Sequence, residues 1–501
     1  MIITSIDLSL SSSVKIPISS REKVLPGLLI IFSKIFFSVL LILYSVFFLI
    51  ISCLFKSILI FLITFVYMVN VEARKPNVVI IYTDDQGSID INSYGSKDLI
   101  TPAMDSLCRE GVRFTQFYSA AAVCSPSRAS LLTGRVPVRA GVPGNVSSHP
   151  GGRGALPAEQ VTMAEIFKSA GYSTAHIGKW HLGFTPPTMP NGQGFDYSFG
   201  HMGGCIDNYS HFFYWVPPNR HDLYENGEEI WRTGEYFPEL MVDEAAKFME
   251  AKGEQPFFMY WAINLPHYPL QATEKWRRRY AHIKDEKRRR YAAFMSSMDE
   301  AIGNLLEEID NLGLRDDTIV VFQSDHGHSV ESRTFGGGGN SGPYRGAKSS
   351  FFEGGIRVPS IVRWPGKIPE GEVRDQLCVS VDWLPTLVEL AGVQLPDHKL
   401  DGKSLVPVIK SVSAKSPHKE FHWMGGGHNP QWAVREGDWK LIGNPRDPTL
   451  KSAIDKDDKL FLVNLSEDIG EKKNLRYSHP SHLRRLKAIH DRWLVDLRNS
   501  R

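Results

Sequence analysis

Three aspartates stand where two apolar segments end. Asp84 and Asp85 follow the run Pro76 to Thr83, and Asp325, with His326 beside it, follows the run Thr318 to Gln323. Both runs read as buried strands, and in open α/β sheets ligands collect just past the carboxyl ends of such strands. Carboxylate oxygens are hard donors, which favour Ca2+ or Mg2+ over zinc. A lone aspartate at such a place is more often a helix cap; the set of three is a candidate divided metal site. A second kind of chemistry begins at Cys124, in Cys124-Ser125-Pro126-Ser127-Arg128 followed by Ala129-Ser130-Leu131-Leu132-Thr133-Gly134-Arg135. Pro126 suits a first helical turn, Ser125 is a candidate cap, and Leu131 and Leu132 suit a buried face. Residue 124 would then face free backbone N–H groups and the positive end of the helix dipole, a setting for an anion, with Arg128 one turn on. Taken alone, the same cysteine is far more often a buried structural thiol. Lys179 and His181 in Gly178–Gly183, His267 in the proline-bracketed Asn264–Pro269, and Lys348 at the end of Gly342–Lys348 add groups that hold anions and move protons.

Together these segments resemble the type I sulfatases, in family order over roughly Lys75 to Gly402. The block Phe352-Glu353-Gly354-Gly355-Ile356-Arg357-Val358-Pro359 belongs to the same resemblance, and the overall pattern is similar to N-acetylgalactosamine-6-sulfatase-like and bacterial polysaccharide sulfatases. The resemblance implies an alkaline-phosphatase-like fold and hydrolysis of a sulfate ester, on a sulfated carbohydrate such as a galactose or N-acetylgalactosamine unit. It implies that a formylglycine-generating or sulfatase-maturating enzyme oxidises Cys124 to formylglycine (3-oxoalanine). Catalytic positions are then Cys124, Arg128, Lys179, His181, His267 and Lys348. The metal ligands are Asp84, Asp85, Asp325, His326 and the modified Cys124, around Ca2+ with Mg2+ as the alternative. His326 departs from the asparagine found in many members. In the implied chemistry Asp325 helps activate one hydroxyl of the aldehyde hydrate for attack on sulfur. His267 or Lys348 protonates the departing alcohol, and His181 takes the proton from the second hydroxyl.

The elements that must position these groups alternate. Helix-like Thr101–Gly111, strand-like Val112–Tyr118, helical Thr162–Gly171, strand-like Tyr172–Ile177 and Phe257–Ile263, and helical Tyr291–Leu312 precede the second acidic strand end. Such alternation implies a doubly wound, mostly parallel sheet. After about Val408 four short strand-like pieces and a helix at His482–Leu497 suggest a smaller α+β subdomain with an antiparallel sheet. The expected organisation is a hydrophobic segment 1–73, a catalytic domain 74–407 and a C-terminal subdomain 408–501.

Two stretches are candidates for substrate contacts: His201–His221, with Asp207, Asn208, Tyr209, His211 and Trp215, and the loop His328–Asn340, with Glu331 and Arg333. Either could equally be surface loop. The balance of 57 basic and 55 acidic residues gives no basis for nucleic-acid binding, and the runs Arg277–Arg279 and Arg288–Arg290 read as a solvated helical face. Five cysteines are too few for a disulfide framework. Ile35–Phe55 is a charge-free apolar run between Lys34 and Lys56, followed by a second run, Ser57–Val71. With Lys15, Arg21, Lys23 and Lys34 before it, the segment directs the catalytic part out of the cytoplasm. It could be a retained anchor, a signal cleaved near Val71-Glu72-Ala73, or a lipobox at Ile50-Ile51-Ser52-Cys53. The expected locations are periplasmic, extracellular or membrane-anchored, with contact to the membrane only through this segment.

Overall fold

The computed structural model describes residues 21–69, 74–395, 397–449, 454 and 458–499. They form two compact units, Met1–Arg74 and Lys75–Arg501. In the first, the helix Arg21–Val69 runs through Lys56, so the first apolar run and the described part of the second, Ser57–Val69, are one element. Its stretch Leu29–Leu62 is long and apolar enough to cross a membrane. Lys15 and the segment Val71-Glu72-Ala73 lie outside the described residues.

The second unit is built on a ten-stranded sheet. From one edge to the other the strands are Glu372–Arg374, Val112–Phe114, Ser360–Arg363, Thr318–Ser324, Asn77–Thr83, Phe257–Ala262, Ser173–Lys179, Tyr197–His201, Tyr224–Glu225 and Glu228–Glu229. The five from Thr318–Ser324 to Tyr197–His201 are parallel throughout, while antiparallel pairs extend the sheet on both sides. The sheet is doubly wound because its central strands are apolar on both faces. Val79 and Ile81 pack among side chains of the helices Pro102–Glu110, Phe237–Lys252 and Glu286–Asn311. Val78, Ile80 and Tyr82 pack on the opposite face with the helices Cys124–Thr133, Met163–Ser169 and Trp383–Leu390.

One expected strand is two. Val112–Tyr118 breaks at Thr115, whose amide donates to Arg374 O; Val112–Phe114 stays in the large sheet, and Phe117–Tyr118 pairs with Cys378–Val379 in a separate ladder. The cysteines are all free, with Cys108, Cys205 and Cys378 buried. The arginine runs are paired at the surface, Arg278 with Glu274 and Arg290 with Glu286, while Arg288 reaches Asp90 and Asp98.

Towards the C-terminus a four-stranded antiparallel meander, Glu420–Met424, Trp432–Glu436, Trp439–Gly443 and Leu460–Asn464, carries the helix Pro480–Asn499 on one face through Leu486 and Ile489. Its other face buries Trp423, Ala433, Ile442 and Val463 against Tyr118, Ala120, Phe352 and Val379. The helix Val406–Lys410 spans the expected boundary at 407/408 and packs beside Leu384 and Leu387.

Candidate active site

Register explains why the acidic residues meet. Thr83 is paired with Ser324 across adjacent parallel strands, so Asp84 and Asp325 leave the sheet side by side. Asp325 N donates to Thr83 O at 3.0 Å, and Asp85 N donates to Asp325 Oδ1 at 3.1 Å. Asp85 takes a left-handed φ of 67°, a conformation uncommon outside glycine.

The helix Cys124–Thr133 begins at the nucleophile candidate itself, with Val123 as N-cap and no side-chain cap, so Ser125 does not cap as expected. Ser125 sits inside the first turn and ties in a loop: its amide donates to Asn145 Oδ1, and its hydroxyl accepts from Val146 N. The Ser127 hydroxyl donates to Asp325 O, pinning the helix to the second acidic strand end. Leu131 and Leu132 are fully buried and Gly134, at φ 64°, ends the helix in the left-handed conformation that favours glycine. Burial of each leucine contributes roughly 1.5–3 kcal/mol to holding this helix on the sheet.

Donor atoms of Asp84, Asp85, Cys124 and His326 all lie within 4.8 Å of one another, every one buried. Cys124 Sγ is 3.4 Å from His326 Nε2 and 3.7 Å from Asp84 Oδ1. Asp325 borders the group, with Oδ1 3.5 Å from His326 Nε2. Cations close the other sides. Arg128 Nη2 lies 3.3 Å from Asp325 Oδ2 and 3.5 Å from Asp84 Oδ2, Lys179 Nζ 2.5 Å from Asp84 Oδ2, and Lys348 Nζ 2.9 Å from Asp85 Oδ1. His267 Nε2 is 3.6 Å from Asp85 Oδ2, and His181 Nε2 is 3.0 Å from Val146 O.

The charges in this site are strongly coupled. Burial alone would raise the Asp84 pKa, but Lys179, His267 and Arg128 hold it well below the usual carboxylate range. Asp85 is pushed up to about 6 by burial and by Asp84, against Lys348. Burial and the Asp84 charge raise Asp325 as well. Burial would lower His326, yet Asp325, Cys124 and Asp85 bring it up to about 9. The carboxylates that crowd His326, with Asp85 and Asp325 each 3.5 Å from its ring nitrogens, make this a place suited to positive charge. Oxygen-rich donors with one imidazole fit a hard divalent cation.

Cys124, His181, His267 and Lys348 line a cleft of about 330 Å3, with Glu331, Arg333 and Tyr268 on its wall. The Arg333 guanidinium lies 5.1 Å over the Tyr268 ring. Asp207, Asn208 and His211 do not line it, contrary to expectation. Asp207 accepts from Tyr209 N, Ser210 N, Tyr214 Oη and Gln271 Nε2; Asn208 accepts from Asn264 Nδ2 and donates to Gln271 Oε1; and His211 Nε2 is 3.2 Å from Glu235 O. These side chains fold their own loop. The sequence reading passed over Asn145, Ser148 and His149, which do line the cleft, whereas the candidate stretch His201–His221 reaches it through Gly204, Cys205, Phe213 and Val216. The one signal for Asn145, Ser148 and His149 was the polar stretch Asn145-Val146-Ser147-Ser148-His149 in the loop that follows the Cys124 helix.

Residues 76–393 match the protein family described as Sulfatase, and residues 346–495 match the family described as N-sulphoglucosamine sulphohydrolase, C-terminal. The chain is 34% identical to human (Homo sapiens) arylsulfatase A over 442 residues, 80% of this chain and 84% of that protein. It is 36% identical to N-acetylgalactosamine-6-sulfatase of Rattus norvegicus over 356 residues, 67% of this chain and 66% of that protein. Among solved structures, Ps i-CgsB in complex with k-i-k-neocarrahexaose superposes with a TM-score of 0.75 at 30% identity, covering 84% of this chain and 92% of the other.

Proposed function

The chain belongs to the sulfatase family and is a sulfuric ester hydrolase, and on that premise we propose that it removes sulfate from a sulfated carbohydrate. Its nucleophile is the formylglycine made from Cys124 by a maturation enzyme, and its cofactor is a divalent metal, Ca2+ in preference to Mg2+. One observation carries the reading: Asp84, Asp85, Cys124 and His326 converge within 4.8 Å at the start of a helix, against buried cations.

Asp84, Asp85, Asp325 and His326 are the residues that would hold the cation, which when bound supplies Lewis-acid polarisation of the oxygen at position 124. Oxidation of Cys124 supplies an aldehyde whose hydrate has two hydroxyls, one to take the sulfuryl group and one to expel it. Arg128, Lys179 and Lys348 surround that position and offset the peripheral negative charge of a sulfate ester, more strongly as charge develops in the transition state. His267 faces the cleft beside Asp85 and donates a proton to the departing alcohol oxygen, with Lys348 on the same wall. His181, buried next to Cys124 and held by Val146 O, withdraws the proton from the second hydroxyl. A relative named N-acetylgalactosamine-6-sulfatase and a neighbour solved in complex with k-i-k-neocarrahexaose support a galactose-type sugar. The apolar N-terminal helix supports export, with the catalytic unit in the periplasm, outside the cell or tethered to the membrane.

The test is mass spectrometry of the tryptic peptide 114–128 from a host that contains a maturation enzyme, paired with sulfate release from defined galactose, galactosamine and glucosamine sulfates. The aldehyde at position 124 and release from at least one sugar sulfate are expected. A thiol retained in the competent host, in protein that still releases sulfate, overturns the nucleophile assignment.

A further inference from the structure

A second cleft, of about 660 Å3, lies against the same helix N-terminus and shares Asn145 and Val146 with the catalytic cleft. One side is Val123, Pro126 and the loop from Gly141 to Val146; the other is contributed by the C-terminal sheet, through Met424, the glycine run Gly425–Gly427, Gln431 and Arg446. Glycine is needed there, because a Cβ on Gly426 would come within 2.9 Å of Pro143 O.

Two features of this cleft point to a ligand. Arg153 and Arg446 line it, no carboxylate does, and neither guanidinium forms an ion pair among the described residues; Arg446 Nη2 donates to Asn429 O at 3.2 Å. Gln431 is only 6% exposed, and its Oε1 accepts from Phe351 N, which fixes the orientation of the amide. Its Nε2 is therefore a donor, and it is buried on the cleft wall without a partner. A buried donor left unpaired is costly and suits an acceptor that arrives with a ligand.

We propose that this second cleft binds the neighbouring anionic sugar of the substrate chain, with Arg153 and Arg446 on its sulfate or carboxylate and Gln431 Nε2 on an acceptor oxygen. The inference rests on the reading above that the substrate is a sulfated carbohydrate, and makes it an oligosaccharide or polysaccharide. Apolar Val142, Pro126 and Met424 offer a surface for the carbon face of the ring.

The test compares Arg153→Gln, Arg446→Gln and Gln431→Glu with the unmodified full chain in detergent. Gln431→Glu keeps the oxygen that holds Phe351 N and replaces only the donor. On chondroitin 6-sulfate and ι-carrageenan tetrasaccharides, kcat/KM is expected to fall about 10- to 100-fold through KM, with a chromogenic aryl sulfate unaffected. Equal losses on tetrasaccharide and aryl sulfate, or no loss on either, overturn the proposal. A second arm titrates the same tetrasaccharides into the full-length Cys124→Ala protein by calorimetry, where adding Arg153→Gln and Arg446→Gln should weaken binding at least tenfold. Unchanged affinity, or no binding of either probe, overturns the second cleft. Failure of the unmodified enzyme to release sulfate from any ester overturns the sulfatase chemistry instead, and the calorimetric arm still decides the cleft.

Discussion

Lys348 Nζ stands 2.9 Å from Asp85 Oδ1, although 263 residues separate the two in the chain. The ammonium ion thus sits between a carboxylate proposed to hold the metal and the cleft that also exposes Cys124 and His267. Lys348→Ala removes one cation from the sulfuryl site, and kcat/KM should fall about 10²- to 10³-fold with the fold retained, as judged by Tm and circular dichroism. A loss below tenfold would remove Lys348 from the catalytic set.

Metal removal should abolish turnover. Three carboxylates packed beside one another gain a partner when a divalent cation binds, and at a hundred times its Kd a ligand adds about 2.7 kcal/mol of stability. Dialysis against EDTA is expected to lower Tm by several degrees, and added Ca2+ should restore both Tm and activity. Recovery with Zn2+ but not Ca2+ or Mg2+ would contradict the hard-donor argument.

His267 as proton donor makes a prediction about leaving groups. An aryl sulfate departs as a weakly basic phenolate and needs little help, whereas a sugar alkoxide needs a proton. His267→Ala should therefore cost about 10²- to 10⁴-fold on a sugar sulfate and much less on a 4-nitrophenyl ester. Equal losses on the two esters would assign the proton to another group.

The C-terminal subdomain should be acid-sensitive. His422 Nδ1 lies 3.3 Å from His490 Nδ1, with the two rings stacked on Trp493 and Trp432. Burial, reinforced by His490, pushes His422 down to about 3, and burial pushes His490 down to about 4 against the opposing charge of Asp491; Glu420 lies 3.6 Å from His422 Nε2. Folded values below the unfolded value of about 6.5 mean that this stability is complete above pH 6.5 and is lost as pH falls towards 4. The loss is about 2 kcal/mol per imidazole by pH 5. Tm followed from pH 7 to 4.5 should drop, and His490→Phe should flatten the slope; an unchanged slope would remove the pair as its cause.

Lys440 is fully buried between two carboxylates, 2.8 Å from Glu353 Oε1 and 3.0 Å from Glu471 Oε1. Lys440, Arg357 and Arg435 together outweigh burial and hold Glu353 down to about 2, while burial pushes Glu471 up to about 7. Lys440→Met leaves the acids without their shared cation and should cost about 3–5 kcal/mol in urea unfolding. Adding Glu471→Gln should recover part of that loss.

The sequence by itself determined which residues converge at the centre and the doubly wound layer order. Asp84, Asp85 and Asp325 end apolar runs, and the start of the Cys124 helix is marked by its own neighbours, so these signals are local and survive without partners. The alternation of apolar strands and amphipathic helices likewise determined that both faces of the sheet are covered. Only the tertiary structure decided the rest. Val112–Tyr118 reads as one strand until Arg374 and Cys378 arrive from far along the chain and pull its halves into different ladders. Asp207 and Arg333 were alike as polar loop residues, but folding brings Tyr214 and Gln271 to Asp207 and leaves Arg333 on the cleft wall over Tyr268. A polar side chain faces a ligand only where the folded chain has not already met its hydrogen-bonding needs, and those partners are distant in sequence.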